Sequence, residues 1–208
     1  MYLYLYYSEN MDRQTGFSER LVRKALSDYC GRRMPEIPAE LLTKIAIARE
    51  EKGKPHFQGL PAGRDGKTPP VHYSVSHSGN WWGCLMADEP VGFDMEVCRN
   101  RIDHEKIARR YFADEESALI LSGGADAFFD VWVRKEAYVK YLGTGLSVGL
   151  GSFTVSENGR LLDQVAIKRN EECGRPLCFI RSVEIGEGVK AAYCSKSGDP
   201  VKAVVSLE

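Results

Sequence analysis

The sequence predicts an α+β fold, and the arrangement of its apolar segments is the main reason. Each half of the chain runs from apolar strands to amphipathic helices and back to strands, instead of alternating strand and helix throughout. Asp88-Glu89-Pro90 interrupts the apolar pattern between the halves. We therefore place a domain boundary there, with an N-terminal lobe of residues 1–89 and a C-terminal lobe of residues 90–208. The 208 residues suffice for one large domain or two small ones, each with its own core.

The N-terminal half begins with an aromatic and apolar run, residues 2–7, that is typical of a buried strand. Ser18 is a suitable N-cap for a helix over residues 18–29, which Gly31 would end. A second helix is predicted over residues 39–48, after Pro38. Residues 53–55 and 59–70 are rich in glycine, proline and charge, which predicts loops. Strands are predicted over residues 71–76 and 81–87.

The C-terminal half opens with an alternating strand, residues 91–97. Helices are predicted over residues 103–111 and 114–121, each beginning at an aspartate. A third and longer helix, residues 125–141, follows Ser122-Gly123-Gly124 and ends at Gly143. Asn158-Gly159 predicts a type I′ hairpin turn between strands at 152–156 and 161–167. Strands at 177–183, 189–195 and 201–206 are expected to complete the sheet of this half.

Composition and charge narrow the classes of function. The net charge of −1 argues against bulk nucleic-acid binding, which needs a strong positive excess. Residues 1–7 are too short for a signal peptide or a membrane span. We therefore expect a cytoplasmic protein that binds neither membrane nor nucleic acid. The six cysteines form no Cys-x-x-Cys pair, so we expect them to be reduced, without disulfides or zinc.

Two carboxylates on the strand at 91–97 form the first candidate site. Because side chains alternate along a strand, Asp94 and Glu96 face the same way, about 6–7 Å apart. Carboxylates this close repel unless a cation lies between them. From this pattern alone, an edge strand with one solvent-exposed face and a metal site are equally good interpretations.

A second stretch favours the metal site. Trp132, Glu136 and Lys140 lie at i, i+4 and i+8 of the longest predicted helix, which places them along one stripe. A third carboxylate and an ammonium on that stripe would suit a hard cation together with a phosphate group. A third stretch, Ser76-His77-Ser78, is compatible with two structures. It can be a packed turn, or an anion site made of hydroxyls, imidazole and backbone N–H groups.

These stretches occur in a fixed order with residues 53–55, a glycine-lysine-proline loop. Residues 75–79 match a serine-histidine-serine turn, and residues 92–96 match glycine-x-aspartate-x-glutamate. Residues 132–140 match tryptophan-x-x-lysine-glutamate-x-x-x-lysine. Together they resemble the 4′-phosphopantetheinyl transferase superfamily, in its monomeric Sfp-type branch. The resemblance is strong over residues 53–140 and general elsewhere. It implies two similar α/β lobes in a pseudo-twofold arrangement, acting as a monomer.

The resemblance also implies a reaction and a metal site. Members of this family transfer the 4′-phosphopantetheine arm of coenzyme A, the co-substrate, to a serine of an apo acyl or peptidyl carrier protein and release 3′,5′-ADP. Asp94, Glu96 and Glu136 would hold a Mg²⁺ ion that bridges the diphosphate of the coenzyme. Glu136 is the candidate acceptor for the serine proton. Lys140 would contact the phosphates and donate a proton to the departing ADP oxygen.

The remaining implied contacts are with the coenzyme. Ser76 and His77 correspond to the position that holds its 3′-phosphate, and Lys54 to the loop lysine beside the adenine and that phosphate. Lys135 points away from the Glu136–Lys140 stripe, and a phosphate contact is expected of it as well. Trp132 is expected to pack in the core.

Two other functions are alternatives to this transferase reaction. One is a different Mg²⁺-dependent phosphoryl enzyme, a phosphodiesterase or nucleotidyl transferase, which would need Asp94 and Glu96 but not Lys54 or Ser76-His77. The other is a non-catalytic module that binds coenzyme A or a carrier protein. Such a module is expected to have lost a metal carboxylate or Lys140, and this sequence retains both.

Overall fold

The structure is a computed structural model that describes residues 1–9, 11, 16–60, 71–99, 102–145, 148–165 and 178–207. Its helices are α1 (Phe17–Arg33), α2 (Ala39–Leu42), α3 (His104–Tyr111) and α4 (Asp114–Leu142), with a short 3₁₀ turn at Leu150–Ser152. Its strands are β1 (Tyr2–Tyr7), β2 (Ala46–Arg49), β3 (Pro55–Gln58), β4 (His72–Ser78), β5 (Trp81–Ala87), β6 (Val91–Val97), β7 (Ser156–Glu157), β8 (Arg160–Leu161), β9 (Gln164–Val165), β10 (Cys178–Ser182), β11 (Val189–Ser195) and β12 (Ala203–Ser206). The predicted α+β class is confirmed.

Two four-stranded sheets pack face to face between helices. The first has the order β12-β1-β5-β4 and the second the order β6-β11-β10-β9. Alternation along β1 sends Tyr4 into a core with α1, while Leu3 and Leu5 meet Phe93 and Met95 of the second sheet. The outer face of the second sheet packs against α4. The chain therefore forms four layers, helix, sheet, sheet and helix.

The last strand corrects one prediction. Residues 201–206 were expected to complete the sheet of the C-terminal half, but β12 pairs in parallel with β1 in the first sheet. Backbone N–H groups of Lys202 and Leu207 bond to the carbonyls of Met1 and Leu5, and Leu207 is buried in the α1 core. The boundary after residue 89 and the pseudo-twofold relation of the lobes remain predictions.

The second predicted helix is also wrong. α2 ends at Leu42, and residues 46–49 form β2, which pairs antiparallel with β3. The apolar run at 41–48 fits either structure, and pairing with residues 55–58 selects the hairpin. The loop expected at residues 53–55 thus becomes the turn into β3, where Gly53 has a φ of 89°. Gly31 does not end α1, which continues to Arg33.

The helices of the C-terminal half agree with prediction. Asp103 accepts a hydrogen bond from the N–H of Lys106 and caps α3. Gly124, with a φ of 66° and ψ of −148°, breaks α4 where two helices were expected to separate. Gly143 ends α4 in the left-handed conformation. The hairpin turn is confirmed by positive φ angles at Asn158 and Gly159. None of the helices within the described residues is long and apolar enough to cross a bilayer.

Candidate active site

The site is built on β6, the strand that begins the second sheet. Gly92, Asp94 and Glu96 face α4, because the alternate residues Phe93 and Met95 are buried between the two sheets. Asp94 is buried and Glu96 is half-buried. The predicted alternation therefore places both carboxylates on one face of this strand.

A row of serines on β4 contacts β6. β4 lies at the end of the first sheet, beside β6 of the second. The hydroxyl of Ser76 donates to Asp94 Oδ1 at 2.7 Å, and that of Ser78 donates to Glu96 Oε2. Ser74 accepts from the N–H of Phe93 at 2.9 Å. The two strands are thus joined through serine side chains at alternate positions.

Helix α4 reaches β6 at Gly92. A Cβ atom on this glycine would lie 1.9 Å from the Ala137 carbonyl oxygen and 2.4 Å from the Tyr141 nitrogen. The absence of a side chain therefore lets the helix backbone lie directly against the strand. Glu136 and Lys140, one turn apart on α4, are brought to Asp94 by this contact. Lys140 Nζ lies 2.7 Å from Asp94 Oδ1 and donates to the Val75 carbonyl at 3.1 Å.

The three predicted metal carboxylates influence one another. Burial raises the pKa of Glu136 above its usual value, and the charge of Asp94 raises it further. Burial likewise raises the pKa of Glu96, while the Ser78 hydroxyl and the Arg99 guanidinium lower it. The nearby Lys140 ammonium favours the ionised form of both glutamates. The site is an acidic cluster with one internal cation.

The chemistry of these oxygen ligands fits Mg²⁺, although their positions in this structure are too far apart to coordinate one ion together. No group of three His, Cys, Asp or Glu residues in the described part of the chain is placed closely enough to hold a metal. Asp94 Oδ2 is nevertheless buried and has no hydrogen-bond partner among these residues. A buried oxygen of this kind is costly unless something binds it. Three carboxylates supply the oxygen ligands that Mg²⁺ prefers.

A basic cavity of about 440 Å³ adjoins this cluster, and Glu136 and Lys140 form part of its wall. Lys54 lines it from the β2–β3 turn and donates to the Tyr141 carbonyl at 2.7 Å. The aliphatic chain of Lys54 crosses Gly143, where a Cβ would lie 2.8 Å from Lys54 Cδ. Burial lowers the pKa of Lys54. His77 is exposed and also lines this cavity.

Sequence reasoning missed two cations of this cavity. Arg49 and Lys52 also line it, on the same hairpin as Lys54. Arg49 is held by a hydrogen bond to the Gly53 carbonyl. Because a helix was wrongly predicted over residues 39–48, the sequence did not indicate the hairpin, and it is the hairpin that turns Arg49 and Lys52 toward the cavity.

Ser76 and Lys135 do not have the expected surroundings. Tyr73, Ser74, Val75 and His77 line the basic cavity, whereas the Ser76 hydroxyl donates to Asp94 of the carboxylate cluster. In this structure Ser76 therefore belongs to the carboxylate cluster, and its expected contact with the coenzyme phosphate stays a prediction.

Lys135 lies apart from both groups. Its side chain is fully buried, 2.7 Å from Glu116, and donates to the carbonyls of Leu150 and Phe153. Phe112 and Phe153 pack around the ammonium. This lysine is an internal anchor, and the expectation of a phosphate contact is corrected.

A second cavity, of about 360 Å³, lies on the other side of Glu96. Phe128, Phe129 and Trp132 form an apolar wall, and Arg99 contributes a cation. Trp132 is half-buried, so it borders this cavity while it stacks on Phe128. His77 lines both cavities. The acidic cluster thus stands between a basic cavity and an apolar one.

Comparison with known proteins identifies the family of this chain. The model of the 4′-phosphopantetheinyl transferase superfamily matches residues 90–194. A 4′-phosphopantetheinyl transferase of Bacillus subtilis is 32% identical over 160 residues, which cover 74% of this chain and 65% of that protein. The 4′-phosphopantetheinyl transferase psf-1 of Bacillus pumilus is 32% identical over 190 residues, covering 88% of this chain and 71% of that protein.

The 4′-phosphopantetheinyl transferase Sfp of Bacillus subtilis strain 168 is 31% identical over 161 residues, with coverage of 74% and 65%. The matched part of this chain spans about two thirds of the length of these relatives. The chain belongs to the 4′-phosphopantetheinyl transferase superfamily, in its Sfp-like branch.

Proposed function

We propose that this protein transfers the 4′-phosphopantetheine arm of coenzyme A to a serine of an apo carrier protein, with Mg²⁺, and releases 3′,5′-ADP. The observation that carries the proposal is the position of the acidic cluster. It lies between a basic cavity suited to a nucleotide phosphate and an apolar cavity on the far side of Glu96. Membership of the 4′-phosphopantetheinyl transferase superfamily supports this class of reaction.

The basic cavity is proposed to hold the nucleotide end of the coenzyme. Arg49, Lys52, Lys54 and His77 are available for its phosphates, and a cavity of this volume is of ordinary ligand size. Glu136 and Lys140 at the inner wall would then stand beside the diphosphate. The arm would run past Glu96 toward the apolar cavity.

Asp94, Glu96 and Glu136 are proposed to hold Mg²⁺. When bound, the ion neutralises the diphosphate and stabilises charge on the departing oxygen. Lys140 is proposed to exchange its contact with Asp94 for a phosphate oxygen of the coenzyme. Because Lys140 lines the basic cavity, its ammonium would then stabilise the same departing charge.

The transfer forms a bond between the carrier serine oxygen and the phosphorus that bears the pantetheine arm. The bond from this phosphorus to the ADP oxygen breaks, and the electron pair leaves with ADP. The serine proton passes to a carboxylate oxygen of Glu136, which borders the basic cavity. No covalent intermediate on the protein is needed.

The acceptor is proposed to approach over α3. Lys106, Arg109 and Arg110 are exposed on this surface together with Asp103 and Glu105, which leaves a small excess of positive charge, and Ile107 of the same helix lines the apolar cavity. Carrier proteins are acidic helical bundles, so charge complementarity would orient the acceptor serine toward Glu96.

The test is intact-mass spectrometry of an apo carrier protein incubated with this protein, coenzyme A and Mg²⁺. We expect a gain of about 340 Da, the approximate mass of the transferred arm, that is abolished by EDTA. Asp94→Asn and Glu136→Gln should abolish the gain, whereas Glu157→Gln, at an exposed hairpin position, should not.

The other outcomes separate the alternatives. Coenzyme binding without a mass gain across several carriers would support a non-catalytic binding module. Hydrolysis of the coenzyme diphosphate without transfer would support a phosphodiesterase. Normal transfer by Asp94→Asn or Glu136→Gln would remove the proposed metal site.

A further inference from the structure

Ser76 and Ser78 differ from the third serine of the row in what they bind. Ser74 contacts only backbone atoms of β6, the N–H and the carbonyl of Phe93. Ser78 makes the corresponding backbone contact, with the N–H of Val97 at 3.0 Å, and in addition donates to the Glu96 carboxylate. Ser76 donates to the Asp94 carboxylate. The backbone contacts suffice to join the strands, so the carboxylate bonds need another explanation.

Each carboxylate bond fixes one oxygen of a proposed metal ligand. On Asp94, Oδ1 accepts from Ser76 and Lys140, while Oδ2 is buried without a partner in the described residues. A hydroxyl that holds one oxygen limits rotation of the carboxylate and directs the other toward a fixed point. Hydrogen bonds of this kind orient metal ligands in many proteins.

We propose that Ser76 and Ser78 are positioning residues of the metal site. The second sheet supplies the ligands Asp94 and Glu96, and the first sheet supplies the hydroxyls that orient them. A metal ion can then be bound only when the two sheets are correctly joined along β4 and β6. This inference rests on the proposed function, in particular on a divalent ion at Asp94, Glu96 and Glu136.

Ser78 offers the sharper experiment, since threonine and valine have the same shape and differ only in the hydroxyl. Mn²⁺ binding to the protein saturated with coenzyme A is measured by electron paramagnetic resonance, with a protein-free coenzyme blank. Ser78→Val and Ser78→Ala should weaken Mn²⁺ binding about 10- to 100-fold, the usual effect of losing such a partner. Ser78→Thr should bind like the wild type.

Ser74→Ala is the matched control. It removes an equivalent hydroxyl-to-backbone bond from the same pair of strands and leaves both carboxylates untouched; because Ser74 lines the basic cavity, the comparison is made at saturating coenzyme A. We expect it to lower stability toward urea as Ser78→Ala does, and to leave Mn²⁺ affinity unchanged. In a Glu96→Gln background, Ser78→Val should cause no further loss of affinity, because the bond it breaks would no longer orient a ligand.

Three results would overturn the inference in distinguishable ways. If the wild type binds Mn²⁺ and Ser78→Val binds it equally well, the positioning role is wrong while the proposed metal site stands. If Ser74→Ala weakens Mn²⁺ binding as much as Ser78→Val, the serines act only by joining the strands. If the wild type itself binds no Mn²⁺ above the blank, the proposed metal site fails, and the inference fails with it.

Discussion

Replacing Gly92 by alanine should test how α4 is placed against β6. The added Cβ would lie 1.9 Å from the Ala137 carbonyl oxygen, 2.4 Å from the Tyr141 nitrogen and 2.9 Å from its Cα. All three are backbone atoms of α4, so no side-chain rotation can relieve the contact. Ordinary contact begins at 3.4 Å. A separation of about 1.5 Å must therefore open between strand and helix.

The separation falls at the carboxylate cluster. Ala137 follows Glu136 and Tyr141 follows Lys140, so both functional side chains would move with the displaced backbone. The contact between Lys140 and Asp94, now 2.7 Å, would lengthen beyond hydrogen-bond distance. Overpacking of this kind costs about 1–3 kcal/mol of unfolding free energy. A misplacement of about 1 Å reduces catalytic rates on the order of 100-fold.

The assay compares urea unfolding with the single-turnover rate of arm transfer for Gly92→Ala and Gly83→Ala. At Gly83 the new Cβ would meet the side chains of Phe93 at 2.8 Å and Leu5 at 3.2 Å, which can shift. We expect both variants to lose stability and only Gly92→Ala to lose most of its rate. Wild-type stability and rate in Gly92→Ala would refute the proposed packing of α4 on β6.

Three further results are expected. Lys135→Met should lower the free energy of unfolding by about 3–5 kcal/mol, because it leaves Glu116 charged and buried without its ion pair; a loss below 1 kcal/mol in urea unfolding would contradict the anchor role. His77→Ala should weaken the binding of coenzyme A, measured by calorimetry, more than the binding of dephospho-coenzyme A. Equal losses of affinity for the two ligands would exclude a contact between His77 and the 3′-phosphate. Burial lowers the pKa of Lys54 below its usual value of 10.5, and the nearby Glu50 carboxylate offsets only part of this effect, so the charge of Lys54 is lost as pH rises toward 10.5. The ratio of coenzyme affinities between the wild type and Lys54→Met should therefore fall toward one over that range, and a constant ratio up to pH 10.5 would disprove the contact.

The parts of the site that depend on local periodicity were predictable. Alternation along residues 91–97 placed Asp94 and Glu96 together, and the spacing of four residues placed Glu136 and Lys140 on one stripe. The interruption of α4 at Gly124, its end at Gly143 and the Asn158-Gly159 turn were also predictable, because each depends only on the conformation of one or two residues. These features need no knowledge of distant contacts.

The wrong predictions concern segments whose structure depends on pairing with residues far away in the sequence. Residues 46–49 form a strand only because residues 55–58 pair with them, and β12 joins β1 across almost the whole chain. Lys135 is adjacent to Glu136 in sequence, but its surroundings are determined by Glu116, which lies in the first turn of α4. No pattern within a helical turn distinguishes a lysine that binds phosphate from one that is buried against a glutamate.

Lys140 and the serines of β4 together explain how an acidic cluster can exist before any metal binds. Three carboxylates drawn together by folding repel one another, and burial makes each charge more costly. The Lys140 ammonium at Asp94 offsets part of this cost, and the Ser76 and Ser78 hydroxyls supply hydrogen bonds that the carboxylates lose from water. Under the proposed function, Asp94 would hold Mg²⁺ instead of Lys140, and the Lys140 ammonium would then be free to contact the coenzyme phosphate. Binding of the ion and of the coenzyme must then strengthen each other, since linkage between two sites is reciprocal.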